Sequence, residues 1–335
     1  MKILRYILLP VVPIYFLITW LRNKLYDLGL KKSVSYNFPV ICVGNLSVGG
    51  TGKSPMIEYL ISILKDEFKV ATLSRGYKRK TEGFQLANKN SSAETIGDEP
   101  FQFYTKFNND IYVGVDVDRQ NGIQTLRNLE DSPEVILLDD AFQHRKVKAG
   151  FNILLTTYHN PYFNDMVLPT GNLREPKRGS KRADIIVVTK CPNDLNQAKK
   201  NAVINKIKAK GNQHVFFSSI MYSDVVISAN STKNINDLKS FCLVTGIANA
   251  TPLVNFLNAK NLQFEHQNFS DHYNFTEKDI LELNKKELII TTEKDFMRLK
   301  QYESLKETLF YLPIKVKIDD ELKFNSLIKA FVKKH

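Results

Sequence analysis

The sequence predicts an α/β protein with a mainly parallel sheet, on three observations. An apolar run, Pro39-Val40-Ile41-Cys42-Val43-Gly44, has the length and β-branching of a buried strand and enters a glycine-rich turn. After that turn, Met56, Ile57, Tyr59, Leu60, Ile63 and Leu64 recur at helical spacing, with Pro55 placed where a first helical turn accepts proline. Further short apolar runs at 69–74, 111–115, 134–138, 151–157 and 183–190 then fit a series of parallel strands. The pattern weakens around 191–235 and restarts after it, which predicts a second, smaller α/β unit. The expected division is an apolar N-terminal helix over 1–29, a core domain over 30–228 and the smaller unit over 229–335.

The turn itself reads Ser47-Val48-Gly49-Gly50-Thr51-Gly52-Lys53-Ser54. Between a strand and a helix, such glycines let backbone N–H groups curl around phosphate oxygens, and the helix N-terminus adds partial positive charge. Lys53 is then placed for β- and γ-phosphates and the Ser54 hydroxyl for Mg²⁺, the arrangement of a P-loop NTPase-like core. Ser47 stands where the full pattern has glycine, so Gly49 and Gly50 must make the turn. The plainer reading is a flexible strand-to-helix connection.

Length and composition are those of an ordinary folded protein: 335 residues, 43% hydrophobic, with no compositionally disordered segment. Cys42, Cys191 and Cys242 are widely spaced and read as buried thiols, not as disulfides or metal ligands. The net charge of +12, from 47 Lys+Arg against 35 Asp+Glu, favours anionic partners. From Tyr6 to Trp20 there is no charged residue, while Lys2 and Arg5 precede the run and Arg22 and Lys24 follow it. It is short for a spanning helix, and Pro10 and Pro13 interrupt it. With Tyr15, Trp20 and Tyr26 it suits a helix lying in the headgroup layer of an anionic membrane surface; the alternative is a helix packed on the domain.

Other stretches sit where such a sheet binds ligands, at the carboxyl ends of strands. Residues 69–74 run into Arg75-Gly76-Tyr77-Lys78-Arg79-Lys80, a basic turn or a ligand-facing one. Gly97-Asp98-Glu99-Pro100 opens a helix, and its acids read either as caps or as groups that bind metal or accept a hydroxyl proton. Asp116, Asp118 and Arg119 follow the next strand. Val135-Ile136-Leu137-Leu138-Asp139-Asp140 is a strand delivering carboxylates beside the P-loop, with Asp139 the expected metal-side residue. The long loop from Leu168 to Arg178 carries Arg174 and Glu175, a clamp for phosphate and metal or a surface ion pair. His272, beside Asp271, is a proton-transfer candidate with a structural role as the alternative.

In content and order, these stretches resemble the tetraacyldisaccharide 4′-kinases, the lipid A 4′-kinases of Gram-negative bacteria. The similarity runs through Gly-Asn-Leu-Ser-Val-Gly-Gly-Thr-Gly-Lys-Ser-Pro, Ser-Arg-Gly-Tyr, Gly-Asp-Glu-Pro, Asp-Asp-Ala-Phe-Gln-His, Leu-Arg-Glu-Pro, Phe-Ser-Asp-His-Tyr and Thr-Thr-Glu-Lys-Asp, from residue 1 to about 320. Ala141 and Asn172 depart from the family's usual glycine and proline. The resemblance implies transfer of the γ-phosphoryl of ATP, with Mg²⁺, to the 4′-hydroxyl of an acylated glucosamine disaccharide 1-phosphate. It implies peripheral or monotopic binding at the cytoplasmic face of the bacterial inner membrane. A monomer is expected, and no nucleic-acid partner, since the basic charge comes without a stacking motif. The resemblance makes Asp98 and His272 the catalytic pair, alongside Lys53. Ser54, Asp139, Asp140 and Glu175 are the expected metal-side residues, and Arg75, Tyr77, Arg119 and Arg174 the substrate contacts. The competing class is a P-loop GTPase or ATPase that switches a protein partner or serves a metal-insertion pathway. A guanine-reading Asn-Lys-x-Asp would mark it, and Thr189-Lys190-Cys191-Pro192-Asn193-Asp194 is only a partial echo.

Overall fold

The computed structural model describes residues 5–271 and 273–335. A 3₁₀ turn (Tyr6–Val11) leads into helix α1 (Val12–Asp27), none of whose residues is buried. Strand β1 (Val40–Asn45), helix α2 (Lys53–Leu64) and strand β2 (Val70–Ser74) make the first crossover. Strand β3 (Gln85–Leu86), helices α3 (Ala93–Ile96) and α4 (Asp98–Phe107), strand β4 (Ile111–Val115), helix α5 (Arg119–Arg127) and strand β5 (Val135–Asp139) follow. Strands β6 (Phe151–Thr157) and β7 (Ile185–Thr189), helix α6 (Gln197–Ile207) and strand β8 (His214–Tyr222) complete this part of the chain.

The second unit comprises strands β9 (Val225–Ile227), β10 (Thr232–Asn234) and β11 (Ser240–Thr245), helix α7 (Thr251–Ala259) and strand β12 (Gln263–Asn268). Helix α8 (Glu277–Leu283), strand β13 (Ile289–Thr292), helix α9 (Glu293–Leu299) and strand β14 (Leu309–Leu312) close it. Strand β15 (Ile314–Ile318) and helix α10 (Glu321–Lys334) end the chain.

The larger sheet has the order β15-β8-β7-β6-β1-β5-β2-β4-β3 and is parallel from β8 to β4, with antiparallel strands at both edges. Both faces are covered, which explains why its central strands read as continuous apolar runs rather than alternating ones. Along β1, Ile41 and Val43 pack with Met56, Ile57, Leu60, Ile61 and Leu64 of α2, while Val40 and Cys42 join the core on the other face. The smaller sheet has the order β10-β9-β14-β13-β11-β12. Among the described residues the three cysteines are free and buried, and burial pushes the Cys42 and Cys191 thiols up to about 12.

Two features differ from the sequence expectation. The run 309–316 looks like one strand but is two, in different sheets, separated at Pro313. Proline has no N–H to continue a ladder, so the chain leaves β14 there and adds β15 antiparallel to β8. Helix α10 then buries Phe324, Ile328 and Val332 in the larger core. Residues 314–335, assigned above to the smaller unit, therefore complete the larger one, and the smaller unit is an insertion. Its edge strand β12 lacks an apolar pattern because its residues are exposed or half-buried.

A charged seam joins the two units. The Lys106 ammonium of α4 lies 2.8 Å from Glu58 of α2 and 2.9 Å from Glu293 of α9, and the Gln102 amide donates to Glu58 at 2.6 Å. Both carboxylates are buried; burial, then the neighbouring Glu293 charge, raises the Glu58 carboxyl above the ordinary range. One ammonium thus pins the nucleotide-side helix, the helix that begins at Asp98 and the second unit to one another.

Candidate active site

The glycine-rich turn is held from outside. Gly49 and Gly52 have φ of 103° and 87°, left-handed values that only glycine adopts cheaply. The Asn45 amide donates to Thr51 Oγ1 at 2.8 Å, the Thr189 hydroxyl to the Thr51 carbonyl at 2.8 Å, and Lys190 Nζ to the Gly50 carbonyl at 2.7 Å. Ser47 bridges Leu173, and the Val48 N–H donates to the Asn172 carbonyl at 2.8 Å. The turn's carbonyls are thereby drawn outward. Among the described residues, no acceptor takes the N–H groups of Gly49, Gly50, Thr51, Gly52, Lys53 or Ser54. Together with the first turn of α2, they form a cradle whose chemistry fits phosphate. Ser47 is accommodated because that corner is a β-bridge rather than a left-handed turn.

Strand β5 delivers two acids beside this cradle. Asp139 is buried; Ser74 donates to its Oδ2 at 3.3 Å, and Oδ1 has no hydrogen-bond partner. Burial, then the Asp140 charge, pushes the Asp139 carboxyl up to about 6. An unpaired buried carboxylate oxygen is costly unless a cation or donor reaches it. Asp140 has φ of 47°, and its carboxylate lies 3.7 Å from Lys53 Nζ and 2.9 Å from Arg174 Nη1. Lys53, Asp139, Asp140 and Arg174 thus converge next to Ser54. No cluster of three His, Cys, Asp or Glu side chains forms a metal cage among the described residues. The donor set instead fits a hard cation that shares its shell with phosphate oxygens and water, as Mg²⁺ does.

Asp98 opens α4, and its carboxylate pairs with the Arg298 guanidinium of α9. Arg298 is in turn 3.4 Å from buried Asp295, which accepts from the Gly246 N–H at 2.8 Å and the Thr292 hydroxyl at 2.7 Å. Lys294 lies 3.6 Å from Glu99. The Gly-Asp-Glu-Pro and Thr-Thr-Glu-Lys-Asp stretches therefore meet across the two units. No role for Arg298 is legible in sequence; its only signal is a place three residues beyond that second motif. Gly97, with φ of 95°, lies so near the Gly76–Tyr77 turn that a Cβ would come within 3.3 Å of the Tyr77 carbonyl oxygen. This close approach sets exposed Arg75 and Tyr77 beside the start of α4. His272 lies outside the described residues.

Two predicted site residues are committed to the scaffold. Arg119 is buried and donates to the carbonyls of Asp116 and Asp139, the latter at 3.2 Å, so its guanidinium braces the end of β5. Glu175 accepts from Arg182 at 2.7 and 2.9 Å, from Gln143 at 3.0 Å and from Asn23 of α1 at 2.5 Å. Its lone pairs fasten the Arg174 loop to α1. Tyr15 does the same, donating to the Arg174 carbonyl at 3.0 Å, while the segment after β5 is tied to α1 by Arg22, which donates to the Gln143 carbonyl at 2.7 Å, and by Arg145, which pairs with Asp27 at 2.8 Å.

The sequence profile of the Tetraacyldisaccharide-1-P 4′-kinase family matches residues 4–333. A tetraacyldisaccharide 4′-kinase of Flavobacterium psychrophilum is 51% identical over 342 residues, covering 99% of this chain and 98% of that protein. One of Bacteroides fragilis is 43% identical over 338 residues, covering 94% and 90%. The crystal structure of LpxK from Aquifex aeolicus in complex with ATP superposes with a TM-score of 0.78 at 33% identity, covering 98% of this chain and 99% of that one. The P-loop fold, the ATP-type cradle and the matches along the whole length agree, and the chain is a kinase that belongs to the tetraacyldisaccharide-1-phosphate 4′-kinase family.

Proposed function

We propose that the protein transfers the γ-phosphoryl group of ATP to the 4′-hydroxyl of a tetraacylated glucosamine disaccharide 1-phosphate at the cytoplasmic surface of the inner membrane. The observation that carries this is one continuous arrangement. The phosphate cradle adjoins Arg174, and Arg174's loop is bonded to a helix whose apolar side chains face outward. Ile7, Ile14, Leu17 and Ile18 are each about 60% exposed or more (74, 61, 59 and 61%). The stretch Tyr6–Asp27 is long and apolar enough to cross a membrane by length and composition. Its bonds through Tyr15, Arg22, Asn23 and Asp27 to the kinase body favour a helix lying on the surface rather than spanning it. An acylated acceptor can then stay in the leaflet while its sugar reaches the site.

Phosphoryl transfer passes through a loose transition state, so the protein's task is mostly positioning and charge neutralisation. The N–H groups of Gly49 to Ser54 hold the β-phosphate, Lys53 spans the β- and γ-oxygens, and Arg174 faces the transferred group. Binding requires the Lys53–Asp140–Arg174 contacts to open toward phosphate. Ser54, Asp139 and Asp140 would hold Mg²⁺, which supplies neutralisation of charge between the β- and γ-phosphates. Asp98 accepts the sugar hydroxyl proton, with His272 as its partner. Arg75 and Tyr77 border the acceptor; Arg119 and Glu175 act from behind, one bracing Asp139 and the other anchoring the Arg174 loop. The deciding experiment is labelled γ-phosphate transfer from ATP to tetraacyldisaccharide 1-phosphate in mixed micelles. No transfer by the wild-type protein overturns the reading.

The raised Asp139 carboxyl makes metal binding pH-dependent. A proton must leave before Mg²⁺ binds, so Mg²⁺-dependent ADP affinity rises with pH through about 6 and levels above it. Without metal the sign is opposite for stability: this carboxyl's folded value exceeds the unfolded value of about 4. Its contribution is therefore largest below about pH 4 and is lost as pH rises through about 6. Calorimetry in two buffers of different ionisation enthalpy should show proton release near pH 6 that Asp139→Asn abolishes. For the membrane surface, Ile14→Ser with Ile18→Ser removes about 3 kcal/mol of apolar burial in a leaflet. Sedimentation with anionic vesicles should fall more than tenfold while ATP binding in solution is unchanged. Equal vesicle binding by both forms would sink the surface role of the helix.

A further inference from the structure

The Glu58–Lys106–Glu293 seam does more than tie the two units together. Its charges do not balance: two buried carboxylates face one ammonium, at 2.8 and 2.9 Å, which leaves one negative charge inside the contact. Its donors fall short as well. Gln102 donates to Glu58 at 2.6 Å, and Lys106 donates to Glu58 at 2.8 Å and to Glu293 Oε2 at 3.1 Å, while Glu293 Oε1 is buried without a hydrogen bond. An unneutralised buried charge with an undonated oxygen is a place for a proton. That proton belongs to the pair of carboxylates rather than to one side chain. In agreement, burial and then the Glu293 charge push the Glu58 carboxyl up to about 7. Lys106 of α4 and Glu293 of α9 are the charged groups that face Glu58. Tyr311 of β14, whose hydroxyl is raised by burial, faces the same cluster and stays neutral near pH 7.

The three side chains come from three helices, α2, α4 and α9, and of these α9 belongs to the second unit. Separating the units would return the carboxylates to water, where a glutamate titrates near about 4.3. Contact therefore takes up a proton, and linkage gives the sign. A carboxyl whose value is higher in contact than apart favours contact most at low pH and loses that effect as pH rises through the higher value. The seam is thus tightest below about pH 4 and weakest above about 7. Other contacts between α4 and α9 are polar pairs that part at little cost: Lys294 with Glu99 at 3.6 Å, and the Lys300 ammonium with the Thr105 hydroxyl at 3.0 Å. The same two helices also hold Arg298 on Asp98, and a carboxylate paired with a guanidinium is a weaker base than a free one.

We propose that Glu58, Lys106 and Glu293 form a proton-operated latch. With one proton aboard, it holds α9 against α4 and Arg298 on Asp98; loss of that proton lets the second unit part from α4 and frees Asp98 to act as base. The catalytic consequence rests on the reading of Asp98 as proton acceptor, whereas the latch itself does not. Spin labels attached through Ser62→Cys, exposed on α2, and Leu281→Cys, exposed on α8, report the separation of the units, because Cys42, Cys191 and Cys242 are buried. In pulsed dipolar measurements on the nucleotide-free protein, the ratio of separated to latched molecules should rise about tenfold from pH 6 to pH 8. Glu58→Gln and, independently, Glu293→Gln remove the excess charge at nearly constant shape, and each should hold that ratio constant over the same range. In the kinase assay, the kcat of Glu58→Gln relative to wild type should fall about threefold from pH 6 to pH 8, within the tenfold that linkage allows. Taking the ratio cancels titrations common to both proteins, those of Asp98 and His272 included. Distances that do not shift with pH, or that shift equally in wild type and both variants, overturn the latch. A constant kcat ratio overturns the release of Asp98. A wild-type protein that transfers no phosphate while its labelled distances still shift would overturn the kinase reading and leave the latch standing.

Discussion

Lys53→Met should lower kcat by about 10³-fold, the loss expected when one preorganised donor to a developing phosphate charge is removed. The substituted side chain keeps most of the volume and the apolar stem, so α2 retains its packing through Met56, Ile57 and Leu60. What disappears is the ammonium that faces Asp140 at 3.7 Å and would transfer to the β- and γ-oxygens. Charge balance makes the outcome sharper. Without Lys53, Asp140 retains Arg174, but Asp139 loses the positive charge that most opposes the effect of burial on it. ADP binding should therefore become more dependent on Mg²⁺, while the melting temperature of the free protein stays near that of the wild type. Stopped turnover with near-normal ADP affinity in saturating Mg²⁺ is the expected pair of results; wild-type kcat would remove Lys53 from the chemistry.

Asp98→Asn is the second large effect. Loss of a general base costs about 10² to 10⁴ in rate, and the amide is isosteric, so the first turn of α4 is preserved. The ion pair with Arg298 offers a competing explanation, in which Asp98 only joins the two units. The two explanations separate cleanly. A purely structural Asp98 predicts a lower melting temperature with kcat retained below it; a proton acceptor predicts a collapsed kcat with KM for ATP unchanged. Measuring both on one preparation decides between them, and a kcat within threefold of wild type would refute the catalytic role.

The strands of the larger sheet were legible because burial on both faces makes them continuous apolar runs, and the phosphate loop because glycines at Gly49 and Gly52 announce a left-handed turn. Asp139 and Asp140 were legible because an apolar strand ending in two acids beside such a loop has few other uses. Arg298 was hidden: its meaning lies in a contact with Asp98 from the other unit, and helical periodicity says nothing about partners so distant in sequence. Arg119 and Glu175 show a related ambiguity. A charged residue next to a site looks alike in sequence whether it faces the ligand or, as here, backbone carbonyls and Arg182. The edge strand β12 escaped because edge exposure gives it a polar sequence.

The break at Pro313 also bears on the order in which the chain is made. The larger sheet acquires its outermost strand only when Ile314–Ile318 reaches β8, and its core acquires Phe324, Ile328 and Val332 only from the final helix. During synthesis the inserted unit, complete at Leu312, can fold first, while the nucleotide-binding domain that began earlier waits for the last residues to emerge. Once residues through Leu312 have emerged from the ribosome, the nascent chain would therefore carry a finished second unit beside an unfinished kinase core, with the apolar faces that meet α10 still open to chaperones.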